Sequence, residues 1–391
     1  MAVLLSPRPA VLAAARRAGA QPVVVAPGLP VPSDREGAER RVRTDWRDHP
    51  RLVGALGGLA EVRAGRAAVF GFGAASALAA ARANEELGLP GTPPSAVTAL
   101  MDKAALRARV NGLGGRPVSF ARCGRADLLP FIANLIGYPC VVKPRAGADG
   151  EGVRRILDPA DAVAAAPGYP AITDLLVEEF LEGPELTVEA FSRGGRHRIL
   201  GWARRLPAGD DRLAAAGHEL PYSLNASVRA AVHRLVAAVL DLAGHRDGPS
   251  HTELIITEHG PRLVETHARP GGEELAALLR LAHGTDPLAL ALAAGLGLPE
   301  PVRRPGAPHV GLRYLDFPPG HRISQRELTA ARAVPGVVRV TLRIPVGATV
   351  RRPPSGSFHH AYVLAAARTA PALAATLAHA AALLHPVGSR R

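Results

Sequence analysis

Two glutamates, Glu253 and Glu265, lie in a stretch whose sequence predicts a β-hairpin. The stretch reads HTELIITEHGPRLVETHARPGG at 251–272, and it contains two short apolar strands at 252–257 and 261–266 around a tight turn. Carboxylates are typical ligands for a hard divalent cation, provided that the hairpin brings them together. Whether it does so depends on the register of the two strands.

The register that the turn favours places the two carboxylates opposite each other. If Thr257 faces Pro261 across a turn at 258–260, then Glu253 lies directly opposite Glu265. Opposite side chains have β-carbons roughly 5 Å apart, and like charges at that separation are destabilising. A divalent cation between them removes the repulsion, and oxygen ligands suit Mg²⁺. The hairpin therefore predicts a metal site.

The same register places His251 opposite His267 at the open end of the hairpin. Two alternatives stay open at this point. The hairpin is a surface element with solvated carboxylates, or a bulge at Gly260 shifts the register and separates the two acids.

Lysine occurs at two positions, Lys103 and Lys143, so 45 of the 47 basic residues are arginine. Arginine is a planar fork, whereas lysine is a compact point charge that fits beside a phosphate oxygen. Lys143 ends the strand-like PCVVKP, and a glycine-rich loop at 145–152 follows it. Glycines let backbone N–H groups approach phosphate closely, although the loop lacks the GK[ST] ending of a P-loop. Both lysines are therefore candidate phosphate ligands.

Strand-like and helix-like pieces alternate over residues 1–95, which predicts a parallel sheet covered by helices. The turn at 71–73 lacks the third glycine and the acidic residue of a dinucleotide site, so structural packing is the better interpretation. A loop, GLPGTPPSAV at 88–97, leads to the helix-like MDKAALRARV. Further on, 175–191 predicts a strand, a bend and a strand, and 195–223 predicts a second hairpin.

Composition limits the class of protein. With 391 residues, of which 47% are hydrophobic, the chain is expected to hold two or three domains. The sequence has no long uncharged apolar run and its N-terminus does not resemble a signal peptide, so no membrane span is expected. Cys123 and Cys140 support neither a disulfide framework nor a zinc site, and the cytoplasm is the expected compartment.

The formal charge of +13 does not by itself indicate nucleic-acid binding. Only 4% of the residues are aromatic, and arginine is spread along the chain rather than gathered into a basic block. No nucleic-acid partner is expected. The excess charge reflects an arginine-rich composition that also attracts anionic substrates.

Four separated elements occur in the order found in the ATP-grasp superfamily, which the region from about 95 to 300 resembles. They are MDK with Lys103, VVKP with its glycine loop, EEFLEGPE, and the hairpin HTE…GPRLVETHARPGG. Three further features are similar to the L-amino-acid ligase type of carboxylate–amine ligase. These are GHELP, the HTE that opens the hairpin, and the C-terminal pattern GLRYLDFPPG…VPGV…PVGATV…AYVLAAA.

The resemblance implies an α/β (α+β) fold of the ATP-grasp type. It implies an N-terminal Rossmann-like parallel-sheet domain at 1–95 and an ATP-grasp domain at 96–300 with a lid subdomain at about 130–190. A C-terminal α+β ligase-type subdomain is expected at 301–391.

The resemblance also implies roles for individual residues around ATP. Phosphate contacts fall on the two lysines and the glycine loop, adenine contacts on EEFL, and ribose contacts on the glutamate after the bend. The residues are Lys103, Lys143, Gly147 and Gly150 for phosphates, Glu178, Glu179 and Leu181 for adenine, and Glu185 for ribose.

For the metal, the resemblance implies Glu253, Glu265 and a third ligand at His267, where the family usually has asparagine. An imidazole is softer than Mg²⁺ prefers, which makes Mn²⁺ the alternative cation. Arg269 is the implied catalytic residue that stabilises the transferred phosphoryl group. The substrate site would include Arg269, His218, Gly271 and Gly272, although a structural histidine is an equal alternative for His218.

The implied reaction joins a small-molecule carboxylate, expected to be an amino acid, to an amine through an acyl phosphate, with release of ADP and phosphate. The expected cofactors are ATP and Mg²⁺, and a homodimer is compatible with the resemblance. Two other interpretations stay open. One is an ATP-grasp carboxylase that activates bicarbonate, and the other is a nucleotide-binding module without catalytic activity.

Overall fold

The chain folds around three β-sheets. The computed structural model describes residues 1–28, 40–145, 150–208, 213–303, 306–351 and 359–384. No single helix within these ranges is both long and apolar enough to cross a membrane. Two neighbouring helices, Glu274–His283 and Pro287–Gly295, reach that length and apolar content only when taken together, and the chain bends by 96° between them.

The first sheet is parallel, as the alternating pattern predicts. Its strand order is β3-β2-β1-β4, and helices cover both faces, so the central strand Ala2–Leu5 is apolar at every position and at most 3% exposed. The elements are β1 Ala2–Leu5, α1 Pro9–Arg17, β2 Pro22–Ala26, β3 Arg40–Arg43, α2 His49–Gly57, α3 Ala60–Arg63, β4 Ala68–Phe70 and α4 Ala74–Glu86.

The glycine turn after β4 has a packing role, in line with the sequence interpretation. A β-carbon at Gly71 would lie 2.0 Å from the carbonyl oxygen of Ser76 in the first turn of α4. Because no side chain fits there, glycine lets the strand end and the helix begin in close contact.

Two short helices follow, α5 Pro94–Met101 and α6 Lys103–Asn111. The prediction of a loop at 88–97 is therefore wrong over its last four residues. Pro94 lies in the first helical turn, where no N–H is needed, and the apolar residues of α5 are buried. Asp102 separates the helices, and its side chain caps α6 by accepting a hydrogen bond from the Ala105 N–H at 3.1 Å.

The second sheet has four antiparallel strands in the order β5-β8-β6-β7, with two helices packed on one face. It carries Lys143 on β6 and Glu178 on β8. The elements are β5 Phe120–Arg125, α7 Leu129–Ile136, β6 Cys140–Pro144, β7 Arg154–Ile156, α8 Pro159–Ala165 and β8 Ile172–Glu179.

The third sheet has eight antiparallel strands in the order β13-β12-β9-β10-β11-β14-β16-β15. The last three strands come from the C-terminal part of the chain and extend the same sheet. The elements are β9 Glu185–Arg193, β10 Arg196–Ala208, β11 Ala214–Leu220, α9 Ala226–Ala243, β12 Gly248–Thr257, β13 Gly260–His267, α10 Glu273–His283, α11 Pro287–Gly295, β14 His309–Leu315, α12 Gln325–Arg332, β15 Val337–Leu342, β16 Ala361–Ala367 and α13 Ala370–Leu384.

The two faces of β9 differ in polarity, and this difference positions the site. Leu186, Val188 and Ala190 pack into the core against α9. Because side chains alternate along a strand, Glu185 and Glu189 project from the opposite face. That face also carries the hairpin carboxylates, since β9 pairs with β12.

Candidate active site

The two hairpin carboxylates lie opposite each other at one edge of the eight-stranded sheet. Glu253 of β12 pairs with Glu265 of β13, and His251 pairs with His267, so the predicted pairing is confirmed. The carboxylate side chains are only 26% and 20% exposed. The alternative of a surface hairpin with solvated acids is therefore wrong.

The turn itself differs from the prediction. Thr257 pairs with Gly260 rather than with Pro261, and Gly260 begins β13 with a positive φ of 95°. Next to the turn the register is therefore one residue away from the predicted one. A bulge between Glu253 and Leu254 restores it before the carboxylates are reached. The irregularity lies beside the acids and not at the glycine.

Basic side chains surround Glu265. Glu265 lies 3.2 Å from the Lys103 ammonium and 3.2 Å from Nε2 of His267. Burial opposes ionisation, but the hydrogen bond from His267 and the charges of Lys103 and Lys143 hold the pKa of Glu265 well below its usual range. Both lysines therefore act on one carboxylate, although they come from different parts of the fold.

A third carboxylate, Glu185, belongs to the same electrostatic cluster. Burial and the nearby charges of Glu253 and Glu265 raise the pKa of Glu185 to about 7, although Arg205 pairs with it at 2.7 Å. Such a concentration of partly buried carboxylates fits a divalent cation. No complete group of three metal-binding side chains is present in the described residues. A cation held by Glu253 and Glu265 would then take further ligands from phosphate or water, as Mg²⁺ commonly does.

The buried carboxylate of Glu178 links the four-stranded sheet to the hairpin. Its two oxygens lie 2.5 Å from Nε of Arg107 and 2.5 Å from the Lys143 ammonium. Arg107 also donates to the carbonyl of Leu263, and Lys143 to that of Val264. Burial opposes ionisation, but Lys143 and Arg107 lower the pKa of Glu178. The predicted phosphate lysine and the predicted adenine residue are thus direct neighbours.

The predicted adenine hinge lies where the chain passes from one sheet to the other. The Glu179 N–H donates to the Ser119 carbonyl, and Leu181 is partly buried just beyond it. The bend needs Gly183, which has a φ of 145° and whose β-carbon would lie 2.1 Å from the Ile256 carbonyl oxygen. Within the glycine loop, Gly150 has a positive φ of 69°, and Gly147 lies outside the described residues.

The segment Arg269–Gly272 connects the hairpin to α10. Arg269 donates to the carbonyl of Pro270 at 3.1 Å, while its Nε is buried and has no partner within the described residues. It lines a cavity of about 380 Å³ between the parallel sheet and the eight-stranded sheet. Gly271 donates its N–H to Glu189, and Gly272 caps α10.

His218 of β11 is buried on the same face of the large sheet, opposite Arg205 of β10. Burial, assisted by the Arg205 charge, lowers the pKa of His218 to about 3, so the ring is neutral at pH 7. Its Nδ1 has no partner in the part of the chain that the structure describes. The Tyr314 ring lies edge-on at 6.0 Å.

Three residues at the site have no role in the sequence interpretation: Arg107, Glu189 and Arg205. A usable signal existed only for Glu189. In ELTVEAF, the polar positions Glu185, Thr187 and Glu189 alternate with apolar ones, which predicts acids on one face of a buried strand. The two arginines occur among many others, so composition hides them.

The site and fold were compared with known proteins. Residues 136–276 match the model of the ATP-grasp domain, and residues 313–387 match that of L-amino acid ligase C-terminal domain 2. Carnosine synthase 1 of Gallus gallus is 29% identical over 252 residues, which cover 57% of this chain and 26% of that protein. The mitochondrial alpha subunit of methylcrotonoyl-CoA carboxylase from Oryza sativa subsp. japonica is 35% identical over 125 residues, or 29% and 16% of the two chains.

Among solved structures, an L-amino acid ligase from Bacillus licheniformis superposes with a TM-score of 0.80 at 22% identity, covering 97% of this chain and 96% of that one. The two curated relatives are much longer than the matched part, so the chain spans only 26% and 16% of their lengths.

The superposition and the domain match identify the fold class as ATP-grasp, with the opposed carboxylates on the large sheet and Lys143 on a smaller antiparallel sheet. Residues 136–276 therefore form an ATP-grasp domain, and residues 313–387 match the C-terminal domain of the L-amino acid ligases.

Proposed function

We propose that the chain is an ATP-dependent carboxylate–amine ligase. It would form an amide bond through an acyl phosphate and release ADP and phosphate, with an amino acid as one substrate. The observation that carries the proposal is the opposed pair Glu253 and Glu265, with Lys103 and Lys143 in the same charge cluster. The C-terminal domain match supports the ligase reaction.

In this proposal, the residues of the cluster serve the terminal phosphates of ATP. Glu253 and Glu265 would hold Mg²⁺, which would neutralise charge on phosphate oxygens. His267, whose Nε2 lies 3.2 Å from Glu265, would become the third ligand only once the cation is bound. Lys103 and Lys143 contact phosphates, and Arg269 stabilises the acyl phosphate. Phosphoryl transfer depends chiefly on such positioning and charge stabilisation.

The remaining assignments follow the same site outward. The adenine would lie at the hinge between the two antiparallel sheets, and the ribose at the glutamate that begins β9. The acid and the amine would lie beyond the metal, along the face of the large sheet. The residues proposed for these contacts are Glu178, Glu179 and Leu181 for adenine, Glu185 for ribose, and His218, Gly271 and Gly272 for the substrates. Domain boundaries near residues 95 and 300 belong to the same proposal.

A second candidate is a carboxylase that activates bicarbonate, which the similarity to a methylcrotonoyl-CoA carboxylase subunit favours. The match of residues 313–387 to the ligase C-terminal domain favours the amide-forming reaction instead. The two reactions differ in their second substrate, because an amine is needed in one and bicarbonate in the other.

The test is a matrix of ADP-release assays over amino acids and dipeptides, each with and without added bicarbonate. ADP release that needs an amino acid and an amine supports the ligase. Bicarbonate-dependent release with no amine requirement would support the carboxylase. ATP binding without turnover on any pair would contradict both and identify a nucleotide-binding module.

A further inference from the structure

A buried carboxylate and a buried imidazole lie next to the hairpin carboxylate Glu253, on the same face of the large sheet. Glu189 of β9 and His251 of β12 are paired across the two strands, and they are 3% and 5% exposed. In the neighbouring row, Thr187 pairs with Glu253. The two residues therefore lie one row away from the predicted metal ligands, on the same face of the sheet.

The contacts form an unbroken chain. Nδ1 of His251 lies 2.5 Å from Glu189 Oε1, and its Nε2 lies 3.3 Å from Glu253 Oε1, both within hydrogen-bond distance. The imidazole thus joins two carboxylates, and it contacts Glu253 from two residues away on the same strand. Groups of this kind orient metal ligands in proteins and tune the affinity for the metal.

The other end of the chain reaches the segment that carries Arg269. The Gly271 N–H donates to both oxygens of Glu189, at 2.9 and 3.1 Å. Contact is so close that a β-carbon at Gly271 would lie 2.4 Å from Glu189 Oε1 and 2.9 Å from His251 Nδ1. The Glu189 carboxylate therefore contacts both the His251 imidazole, which lies beside Glu253, and the backbone N–H of Gly271, two residues after Arg269.

We propose that Glu189 and His251 are positioning residues that couple the metal ligand Glu253 to the Arg269 segment. The inference rests on the proposed function, which assigns Glu253 to the metal and Arg269 to the acyl phosphate. The two groups would approach the terminal phosphate from different parts of the fold, Glu253 from β12 and Arg269 from the segment before α10. Their relative position depends on the Glu189 carboxylate, because it contacts both elements.

The experiment measures Mn²⁺ binding to the full chain in the presence of ADP by electron paramagnetic resonance. The variants are Glu189→Gln, which keeps the shape but removes the charge, and His251→Asn, whose amide replaces Nδ1 but does not reach Glu253. Each is expected to weaken Mn²⁺ binding about tenfold. The matched control is His197→Asn, since His197 is a buried imidazole on β10 bonded to Ser192 and Asp241.

Two further variants test the coupling itself. The double variant of Glu189→Gln with His251→Asn should bind Mn²⁺ no more weakly than the single variant with the lower affinity. Both residues act through the same series of contacts, so their effects should not add. Gly271→Ala alters neither residue, but its methyl group displaces Glu189, so it should also weaken Mn²⁺ binding.

The outcomes separate the inference from the proposed function. If the wild-type protein binds Mn²⁺ but Glu189→Gln and His251→Asn remain within about twofold of it, like His197→Asn, the positioning role is wrong and the ligase proposal stands. If the wild-type protein with ADP binds no Mn²⁺, the proposed function fails and the inference fails with it. Should Glu189→Gln not fold, His251→Asn and Gly271→Ala decide the question.

Discussion

At the scale of single residues, both lysines are in contact with acids of the proposed site. Lys103 lies 3.2 Å from Glu265, and Lys143 lies 2.5 Å from Glu178. Their side chains are 10% and 8% exposed, in a chain whose other basic side chains are all arginine. At such buried positions, the compact shape of an ammonium matters as much as its charge.

Replacing Lys143 by arginine should therefore lower ATP-dependent turnover by about 10²-fold, because the planar fork does not fit between Glu178 and the Val264 carbonyl. Steady-state kinetics with varied ATP measures the effect. Arg51→Lys is the control, since that side chain is 77% exposed on α2, and it should behave as wild type. Unchanged kinetics in Lys143→Arg would contradict the assignment of Lys143 to phosphate.

His218 gives a prediction about pH. Burial lowers the pKa of His218 from 6.5 to about 3, so between these values the unfolded chain binds a proton that the folded chain does not. Stability is therefore lost as pH falls below about 6.5. Wild-type protein should lose up to about 2 kcal/mol more than His218→Gln between pH 7 and pH 5. Urea unfolding at both pH values measures this difference, and equal losses would show that the ring is not held neutral.

At the scale of elements, Arg107 joins three pieces of the fold. It lies on α6 and contacts Glu178 of β8 and the carbonyl of Leu263 on β13, while it is only 3% exposed. Removal of one member of a buried ion pair leaves the other without full compensation. Arg107→Gln should accordingly lower the free energy of unfolding by about 2–4 kcal/mol. The effect is smaller than for a fully broken buried ion pair because Lys143 still pairs with Glu178.

The control for Arg107 is Arg122, on β5 of the four-stranded sheet that carries Glu178. Arg122 pairs with Asp174 at 3.1 Å, but these side chains are 58% and 50% exposed. Exposed pairs contribute about 1 kcal/mol or less, so Arg122→Gln should have little effect in the same denaturant titration. Equal losses in the two variants would mean that burial of Arg107 does not determine its contribution.

The hairpin shows what could be predicted from the sequence and what could not. The alternation of polar and apolar residues was sufficient to place Glu253 opposite Glu265. A slip of one residue in this pairing would turn the apolar side chains from the core to the other face of the sheet. The turn register was wrong by one residue, since Thr257 pairs with Gly260 and a bulge near Leu254 compensates. The tighter turn and the bulge shift the register in opposite directions, so the polar–apolar alternation of the sequence shows neither of them.

Contacts between distant segments were beyond sequence reasoning. Arg107 meets Glu178 across 71 residues, and His251 meets Glu189 across 62. Nothing in the local sequence distinguishes the buried Arg107 from the exposed Arg109 on the same helix. Motifs predicted the groups that would face a ligand, whereas the groups that hold them in place depend on how the sheets pack.

At the scale of the whole molecule, two antiparallel sheets and one helix bring one set of charges together. The small sheet supplies Lys143, α6 supplies Lys103, and the large sheet supplies Glu253 and Glu265. The parallel sheet closes a cavity of about 380 Å³ whose lining includes Arg269. Lys103, Lys143 and the paired carboxylates thus form one charge cluster, which under the proposed function would bind the terminal phosphates of ATP.

This convergence leads to a prediction about the intermediate. If Lys103, Lys143, Arg269 and the paired carboxylates act on the terminal phosphoryl group, the products are ADP and phosphate. With the acid substrate present and the amine omitted, hydroxylamine should trap the acyl phosphate as a hydroxamate, which gives a coloured iron complex. Glu265→Gln should reduce trapping by at least about tenfold, because a neutral amide binds a cation less well.

The matched control for that experiment is Glu258→Gln, in the turn of the same hairpin, where the side chain is 83% exposed. It makes the same chemical change on the far side of the four strand pairs that separate the turn from the acids, so it should leave hydroxamate formation at the wild-type level. Loss of trapping in both variants would point to a damaged hairpin and not to a lost ligand. Release of AMP and pyrophosphate by the wild-type protein would place the attack at the α-phosphorus, and the proposed roles of Lys103, Lys143 and Arg269 would then be wrong.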